Sequence, residues 1–209
     1  MRRWLAIPLA IAVAWLLFTL SPLWSLYSLA DAVRRHDAAY VETHVNFRTL
    51  RLSLVRQIVA AVRVATDADE DLDPKDRQRL NEAAYGLALA LAESLVTPDT
   101  VIDLLDDGWP EKLDLKKPES ARTTGLSIRN AGRLMSYYAA AEMRGFRAVV
   151  IPIPPEGPRA QRTRIRLRLR GFTWRLADIE MADALRGEIA AKLARALAKA
   201  RINAGGGGK

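Results

Sequence analysis

The sequence predicts an α+β fold, in which an N-terminal transmembrane helix precedes several helices packed on a curved antiparallel sheet and a C-terminal amphipathic helix ends the chain. Three observations carry this prediction. No charged residue occurs from Trp4 to Ala30. Apolar residues then recur at helical spacing, and from about Phe146 onward they alternate with polar residues, as in half-buried strands. With 209 residues, half of them apolar, the chain is long enough for one domain and an attachment.

We therefore divide the chain into an anchor or signal, a soluble α+β domain, a basic amphipathic helix and a flexible tail: residues 1–30, 31–181, 182–204 and 205–209. The first segment is long enough to cross a membrane, because about 20 apolar residues span the hydrocarbon. Trp4, Trp24 and Tyr27 lie near its ends, where aromatic rings favour the lipid interface. Pro22 marks either the end of the regular span or a kink.

Two alternatives to an uncleaved anchor stay open. Ser28–Ala30 has the small-x-small pattern of a signal-peptide cleavage site, although it lies far beyond the apolar core. The segment could also be a buried helix of a soluble domain, which its length and lack of charge disfavour. Arg2 and Arg3 are nearly balanced by Arg34 and Arg35, but long domains are exported with little regard to charge. We expect the domain to lie outside the cytoplasm.

Helical segments follow the anchor. Asp37 is expected to cap a short helix, and Asn46 to cap a longer one. The longer helix has an apolar stripe that should face the core, at Leu50, Leu54, Ile58 and Val62. An acidic break, "DADEDLDPKD", separates it from a strong helix that runs through Val96. The break lacks the glycine of a calcium-binding loop, so we expect a solvated loop and helix start.

The middle of the chain is less regular. Thr97 and Pro98 have the cap and first-turn proline of a short helix that ends at Gly108. Residues 109–129 show no clear period and predict a long loop. The following "RLMSYYAAAE" suits a strand or a helix equally.

An antiparallel meander comes next, with strands at "FRAVVIPIP", "TRIRLRLR" and "TWRLADIEM". The order of helices and meander is reminiscent of the cone-shaped domain of nuclear transport factor 2, as a fold analogy that carries no function. From Asp183 to Ile202 the pattern is an amphipathic helix, and its basic residues surround an apolar stripe at Leu185, Ile189, Leu193 and Leu197. That stripe would pack on the domain or on a second copy, or the helix would lie on a membrane surface.

The second strand of the meander carries the most conspicuous charge pattern. Its arginines alternate with apolar residues and would form one cationic stripe: Arg164, Arg166, Arg168 and Arg170. A solvated sheet face, with some arginines paired to Asp178 or Glu180, is one interpretation. The functional alternative is contact with anionic lipid headgroups beside the anchor.

Composition and motifs exclude several chemistries. The absence of cysteine rules out disulfides, thiol catalysis and thiolate metal sites. His36 and His44 are eight residues apart and would be too distant to share a metal ion, so we interpret them as exposed or capping residues. No nucleophile motif or phosphate-binding glycine loop is present. Trp174 is expected in the core rather than in a ligand site. We therefore predict no catalytic, cofactor-binding or metal-binding residue, and no cofactor.

The chain resembles the bacterial family known as domain of unknown function 2939. The resemblance runs from about Ser21 to Met181 and is most specific in "HDAAYVETHVNF" and in the ending Trp174-x-Leu176-x-x-Ile179. The helix after Met181 departs from the short ending expected of that family. The resemblance implies a membrane-anchored or exported bacterial protein, and it implies no activity.

Two classes of function follow from these observations. The first is a non-enzymatic domain, held in the bacterial inner membrane by a single span and facing the periplasm, that binds a partner protein, a second copy or a small apolar ligand. The second is an enzyme of unrecognised type with its site in the pocket between helices and sheet. The net charge of +8 would also suit nucleic acid. The arginines lack the interleaved aromatic residues of single-strand binders, so nucleic acid is not the expected partner.

Overall fold

The computed structural model describes residues 2–67, 73–107, 126 and 131–205. Its helices are α1 (Arg2–Arg34), α2 (Ala38–His44), α3 (Phe47–Asp67), α4 (Pro74–Leu95), α5 (Pro98–Asp107), α6 (Ala131–Ala140) and α7 (Asp183–Gly205). Its strands are β1 (Glu142–Met143), β2 (Ala148–Ile153), β3 (Thr163–Arg170) and β4 (Thr173–Glu180). This architecture confirms the predicted α+β class, with a long apolar helix at the N-terminus and an antiparallel sheet.

Helix α1 is continuous through Pro22 and past Ala30, where we predicted the anchor to end. A proline has no N–H for the carbonyl four residues earlier, here that of Phe18. The Ser21 hydroxyl donates to this Phe18 oxygen at 2.7 Å and so supplies the missing hydrogen bond. From Leu23 to Val33 one side of α1 is buried in the core. The same helix is therefore an exposed apolar rod at its start and a core element at its end.

The predicted helix caps are confirmed. Asp37 Oδ1 accepts from the Tyr40 N–H at 2.9 Å, Asn46 Oδ1 from Thr49 at 3.2 Å, and Thr97 Oγ1 from Thr100 at 3.3 Å. Each cap satisfies an amide that has no partner within its helix. On α3, Leu50, Ile58 and Val62 are buried and Leu54 is partly buried, as the predicted stripe requires.

The sheet has the order β1-β2-β3-β4, and each strand is antiparallel to its neighbour. The ambiguous "RLMSYYAAAE" segment lies mostly in helix α6, while β1, only two residues long, was not predicted. The register between β3 and β4 shifts between Arg166 and Leu167, so that Leu167 faces Leu176 while Arg166 faces Asp178. The sheet thus keeps its apolar residues on one face and its arginines on the other.

Two apolar clusters hold the helices to the sheet. The larger joins α1, α2 and α5 to the inner face of the sheet, and Leu126 belongs to it. The smaller lies between α3, α4 and α7 and contains Leu185, Ile189 and Leu193 of the stripe predicted for the last helix. These three residues therefore pack inside the molecule. The side chain of Leu197, the centre of the acidic break (68–72), Gly108, most of the predicted long loop and the last four residues of the tail lie outside the described residues.

Candidate functional site

The four arginines predicted as a single cationic stripe divide into two pairs. Arg164 is held by two carboxylates, at 3.1 Å from Glu180 and 3.5 Å from Glu142, and its side chain is only 12% exposed. Arg166 lies 3.5 Å from Asp178. The pairing to Asp178 and Glu180 in the solvated-face interpretation is thus present at the start of β3. The carboxylates neutralise much of the positive charge at this part of β3, so that it attracts an external anion less strongly.

Arg168 and Arg170, at the end of β3, are exposed. Neither has an ion pair among the described residues. Arg168 lies opposite Arg175 in the sheet register, a placement of like charges that destabilises a strand pair. The uncompensated charge of the stripe is therefore at the end of the sheet that carries the β3–β4 turn.

A cavity of about 320 Å³ lies between α1, α6 and the first two strands. Its walls are mainly apolar and include Pro22, Leu23, Met143, Val149 and Ile151. Thr19 and Tyr138 bring the polar side-chain atoms, and the Thr19 hydroxyl already donates to Leu16 O at 2.9 Å within its helix. The volume falls in the range of ligand pockets, about 300–1,000 Å³.

The position of this cavity follows from α1. On α1, Leu20 is exposed although it lies next to the cavity-lining Thr19, whereas Leu23 on the cavity wall is buried. The cavity thus begins where α1 passes from its exposed apolar stretch into the core. Tyr138 and Met143 on its other side are 38% and 49% exposed, so the cavity reaches the molecular surface there. Sequence analysis did not find these lining residues, because they come from four elements that meet only in the folded chain.

A second space lies deeper, between α3, α5, α7 and β4, with walls that include Leu54, Leu104, Ile179 and Leu185. Its volume is only about 40 Å³. A space of this size holds only a few water molecules and is too small for an organic ligand.

The remaining candidate residues have structural roles. Trp174 is buried, as expected of a core residue, and its Nε1–H donates to Ser21 Oγ at 2.8 Å. His44 stacks on Tyr40 at a centroid distance of 3.9 Å. His36 follows the end of α1 in a left-handed conformation, with φ of 52°. Among the described residues no group of three or more histidine, cysteine or acidic side chains could hold a metal ion.

Among the described residues one helix, α1, is long and apolar enough to cross a membrane: from Ala6 to Arg34 its mean hydropathy reaches 2.0, and 11% of the most apolar window is buried. By length and composition, a signal sequence or a core helix would also pass this criterion. The low burial of the first half of α1 is less typical of a core helix. The length, apolar composition and low burial of α1 are compatible with single-pass anchoring.

The comparisons with known proteins point to one family. No curated protein and no solved structure matches the chain, so the likeness to nuclear transport factor 2 stays a prediction. The family model described as protein of unknown function (DUF2939) matches residues 11–104, from the exposed part of α1 to α5. The "HDAAYVETHVNF" stretch lies inside this match, whereas the resemblance we predicted over residues 105–181 lies beyond it. The match over residues 11–104 supports the predicted assignment to the DUF2939 family.

Proposed function

We propose that this protein is a non-enzymatic domain of the bacterial envelope, anchored in the inner membrane by the first half of α1 and facing the periplasm, which binds an apolar chain in the cavity beside α1. The cavity is the observation that carries the proposal. Its mainly apolar walls favour a hydrocarbon ligand through burial of apolar surface. Its place at the end of the exposed stretch of α1 favours a ligand that comes from the bilayer, such as the acyl chain of a lipid or a fatty acid.

The alternative is an enzyme with its site in the same cavity. Catalysis needs a nucleophile, or an acid and a base, within hydrogen-bond reach of the reacting atoms. Among the residues that line the cavity only Tyr138 offers a side-chain polar atom not already bonded within a helix. A lone tyrosine hydroxyl suits the orientation of a ligand headgroup better than it suits bond cleavage. Binding is therefore the better supported function.

A protein partner or a second copy of the chain is the other predicted occupant. The described surface has an open groove of about 840 Å³ between α3 and α7, with Gln57, Ala61, Arg166, Asp183 and Gly187 on its walls. Its rim carries both signs of charge, and nothing in it selects one kind of partner. The apolar cavity is the more specific feature.

The proposal is tested by filling the cavity. In Ala141→Trp an indole replaces a methyl group on the wall, so we expect the purified full-length chain to retain about ten-fold less added palmitate than the wild type, because the apolar volume is lost. Native mass spectrometry in detergent measures the retained palmitate per chain. Ala83→Trp, at an exposed position on α4, is the matched control and should retain palmitate as the wild type does. Equal retention by both variants would contradict the proposed site.

A further inference from the structure

Two hairpin turns of the sheet carry the same tripeptide, Arg-Gly-Phe, at residues 144–146 and 170–172. Gly145 and Gly171 have φ angles of 93° and 61°, a backbone region that glycine enters without steric cost. Each places a phenylalanine at the tip of its turn: Phe146 is 68% exposed and Phe172 is fully exposed. Single exposed apolar residues are common on protein surfaces, but two identical aromatic turns form a pattern.

Both turns lie at the same end of the sheet, where neighbouring strands are joined. Ala148 at the start of β2 is paired with Arg168 near the end of β3, and the Leu169 N–H donates to Arg147 O at 2.9 Å. The β1–β2 and β3–β4 turns are therefore neighbours, while the β2–β3 connection lies at the opposite end. Residues 154–162 of that connection contribute no exposed large apolar side chain. The exposed phenylalanines are thus confined to one end of the sheet, which we call the aromatic edge and define by residues 144–147 and 168–175.

The aromatic edge lies beside the exposed apolar stretch of α1. The rings of Phe146 and Trp15 meet edge to face, with centroids 6.1 Å apart and an interplanar angle of 78°. Trp15 belongs to a series of exposed large apolar residues on α1 that includes Ile7 and Leu17. The contact between Phe146 and Trp15 therefore places the aromatic edge beside the apolar stretch of α1, so that a membrane around this stretch would also lie next to the edge.

The charges at the aromatic edge favour an anionic surface. Arg147, Arg168, Arg170 and Arg175 are exposed and have no ion pair within the part of the chain that the structure describes. By contrast, Arg164 and Arg166, farther from this edge, are compensated by Glu180 and Asp178. The sheet face is therefore neutralised away from α1's apolar stretch and left cationic next to it. Exposed phenylalanine flanked by arginine is the composition of a membrane-interface contact.

We propose that the aromatic edge docks on an anionic lipid bilayer, with Phe146 and Phe172 inserted at the boundary between headgroups and acyl chains and with the four arginines at the lipid phosphates. The proposal rests on the anchoring part of the proposed function and is independent of the apolar ligand. Docking would fix the orientation of the whole domain relative to the membrane. It would also keep the cavity beside α1 close to the lipid.

The absence of cysteine from the chain allows a direct test with single labels. The full-length protein is reconstituted in nanodiscs of phosphatidylglycerol, with an environment-sensitive fluorophore at Phe172→Cys, and quenched by lipid that carries a nitroxide near the headgroup end of its acyl chain. We expect quenching about three-fold or more above that of the same label at Glu156→Cys, at the opposite end of the sheet, because only the first reaches the acyl boundary. Equal quenching at the two positions would overturn the proposal.

A third label separates this proposal from the anchoring on which it rests. Ala10→Cys lies in the exposed apolar stretch of α1 and should be quenched wherever the anchor is inserted. Quenching at Ala10→Cys without quenching at Phe172→Cys would refute docking while anchoring stands. If Phe172→Cys were instead shielded from aqueous iodide but not quenched by lipid, a protein partner would cover the edge and the proposal would be wrong. Absence of quenching at Ala10→Cys would overturn both.

The role of the arginines is tested in the same Phe172→Cys chain. Substituting Arg168, Arg170 and Arg175 by glutamine should lower the quenching about two-fold in anionic nanodiscs and leave it unchanged in phosphatidylcholine, because only anionic headgroups attract the charges. A control variant that loses the same charge elsewhere carries Arg48→Gln, Arg56→Gln and Arg79→Gln, at exposed positions of α3 and α4, and it should behave as the parent does. Equal quenching of both variants in anionic nanodiscs would refute the electrostatic part of the proposal.

Discussion

The side chain of Ser21 links helix α1 to strand β4. Its hydroxyl donates to Phe18 O, which Pro22 leaves without an amide partner, and its oxygen accepts from Trp174 Nε1. The Ser25 hydroxyl, one turn later, donates to Trp174 O at 3.3 Å. Two serines of α1 therefore hold the first residues of β4 where the apolar stretch of α1 ends.

Removal of the Ser21 hydroxyl should destabilise the protein. Ser21→Ala leaves both the Trp174 N–H and the Phe18 carbonyl without a partner, and an unpaired buried polar group costs about 1–3 kcal/mol. We expect a loss of about 1–2 kcal/mol in the free energy of unfolding, measured by denaturation in detergent and followed by tryptophan fluorescence. Ser94→Ala removes an exposed hydroxyl that bonds to Leu91 O within α4 and is the control. A Ser21→Ala variant no less stable than Ser94→Ala would contradict this role.

Local sequence patterns predict the caps but not this contact. Asp37, Asn46 and Thr97 each bond an amide three residues ahead, and such short-range pairs follow from residue type and position alone. Ser21 and Trp174 are separated by 153 positions. Their pairing depends on the packing of α1 against the sheet, which no local pattern encodes. The same reason explains why the core position of Trp174 was predicted and its hydrogen-bond partner was not.

Among the secondary-structure elements, β3 is the one whose pattern carries the most information. Its bounds, Thr163–Arg170, agree with the predicted "TRIRLRLR" strand, because strict alternation of polar and apolar residues is specific to a half-buried strand. The alternation within β3 does not show which residues of the neighbouring strands lie beside its arginines. Glu180 and Asp178 on β4 and Glu142 on β1 decide which arginines are compensated. A stripe that looks uniform in sequence is therefore divided in the structure.

The two ends of this stripe should respond differently to the loss of charge. Arg164→Gln removes a little-exposed guanidinium from two carboxylates and should lower the free energy of unfolding by about 1 kcal/mol. Arg168→Gln removes a charge that faces Arg175 across the strands, so stability should stay the same or rise because a repulsion is relieved. Urea denaturation of the two variants side by side measures the difference. A larger loss for Arg168→Gln than for Arg164→Gln would contradict the division.

At the scale of the whole molecule, α1 combines an exposed apolar stretch with a segment that belongs to the core of the domain. Leu26, Leu29 and Val33 of this helix pack in the larger cluster with residues of the sheet, while Ile7, Leu9 and Ile11 are exposed. The apolar run from the start of the chain correctly predicted a long apolar helix. It could not show that the same helix continues into the core, because a buried helix and a membrane span are both apolar.

This continuity bears on the alternative of a cleaved signal peptide. Cleavage after Ala30 would remove buried Leu26 and Leu29, together with both serines that bond Trp174. Deleting several core leucines costs about 2–5 kcal/mol for each, which is a large part of the stability of a domain of this size. The packing therefore favours retention of α1 in the mature protein.

One experiment determines on which side of the membrane the domain lies, whether the N-terminal segment is cleaved and whether the chain is attached to the membrane. A Glu156→Cys variant is treated in intact spheroplasts with a maleimide that does not cross membranes, and the labelled chain is then fractionated and weighed by mass spectrometry. We predict a labelled chain in the membrane fraction at the full mass of about 23.2 kDa plus the label. Labelling only after lysis would place the domain in the cytoplasm, and a soluble labelled chain shortened by its first 30 residues would contradict the anchor.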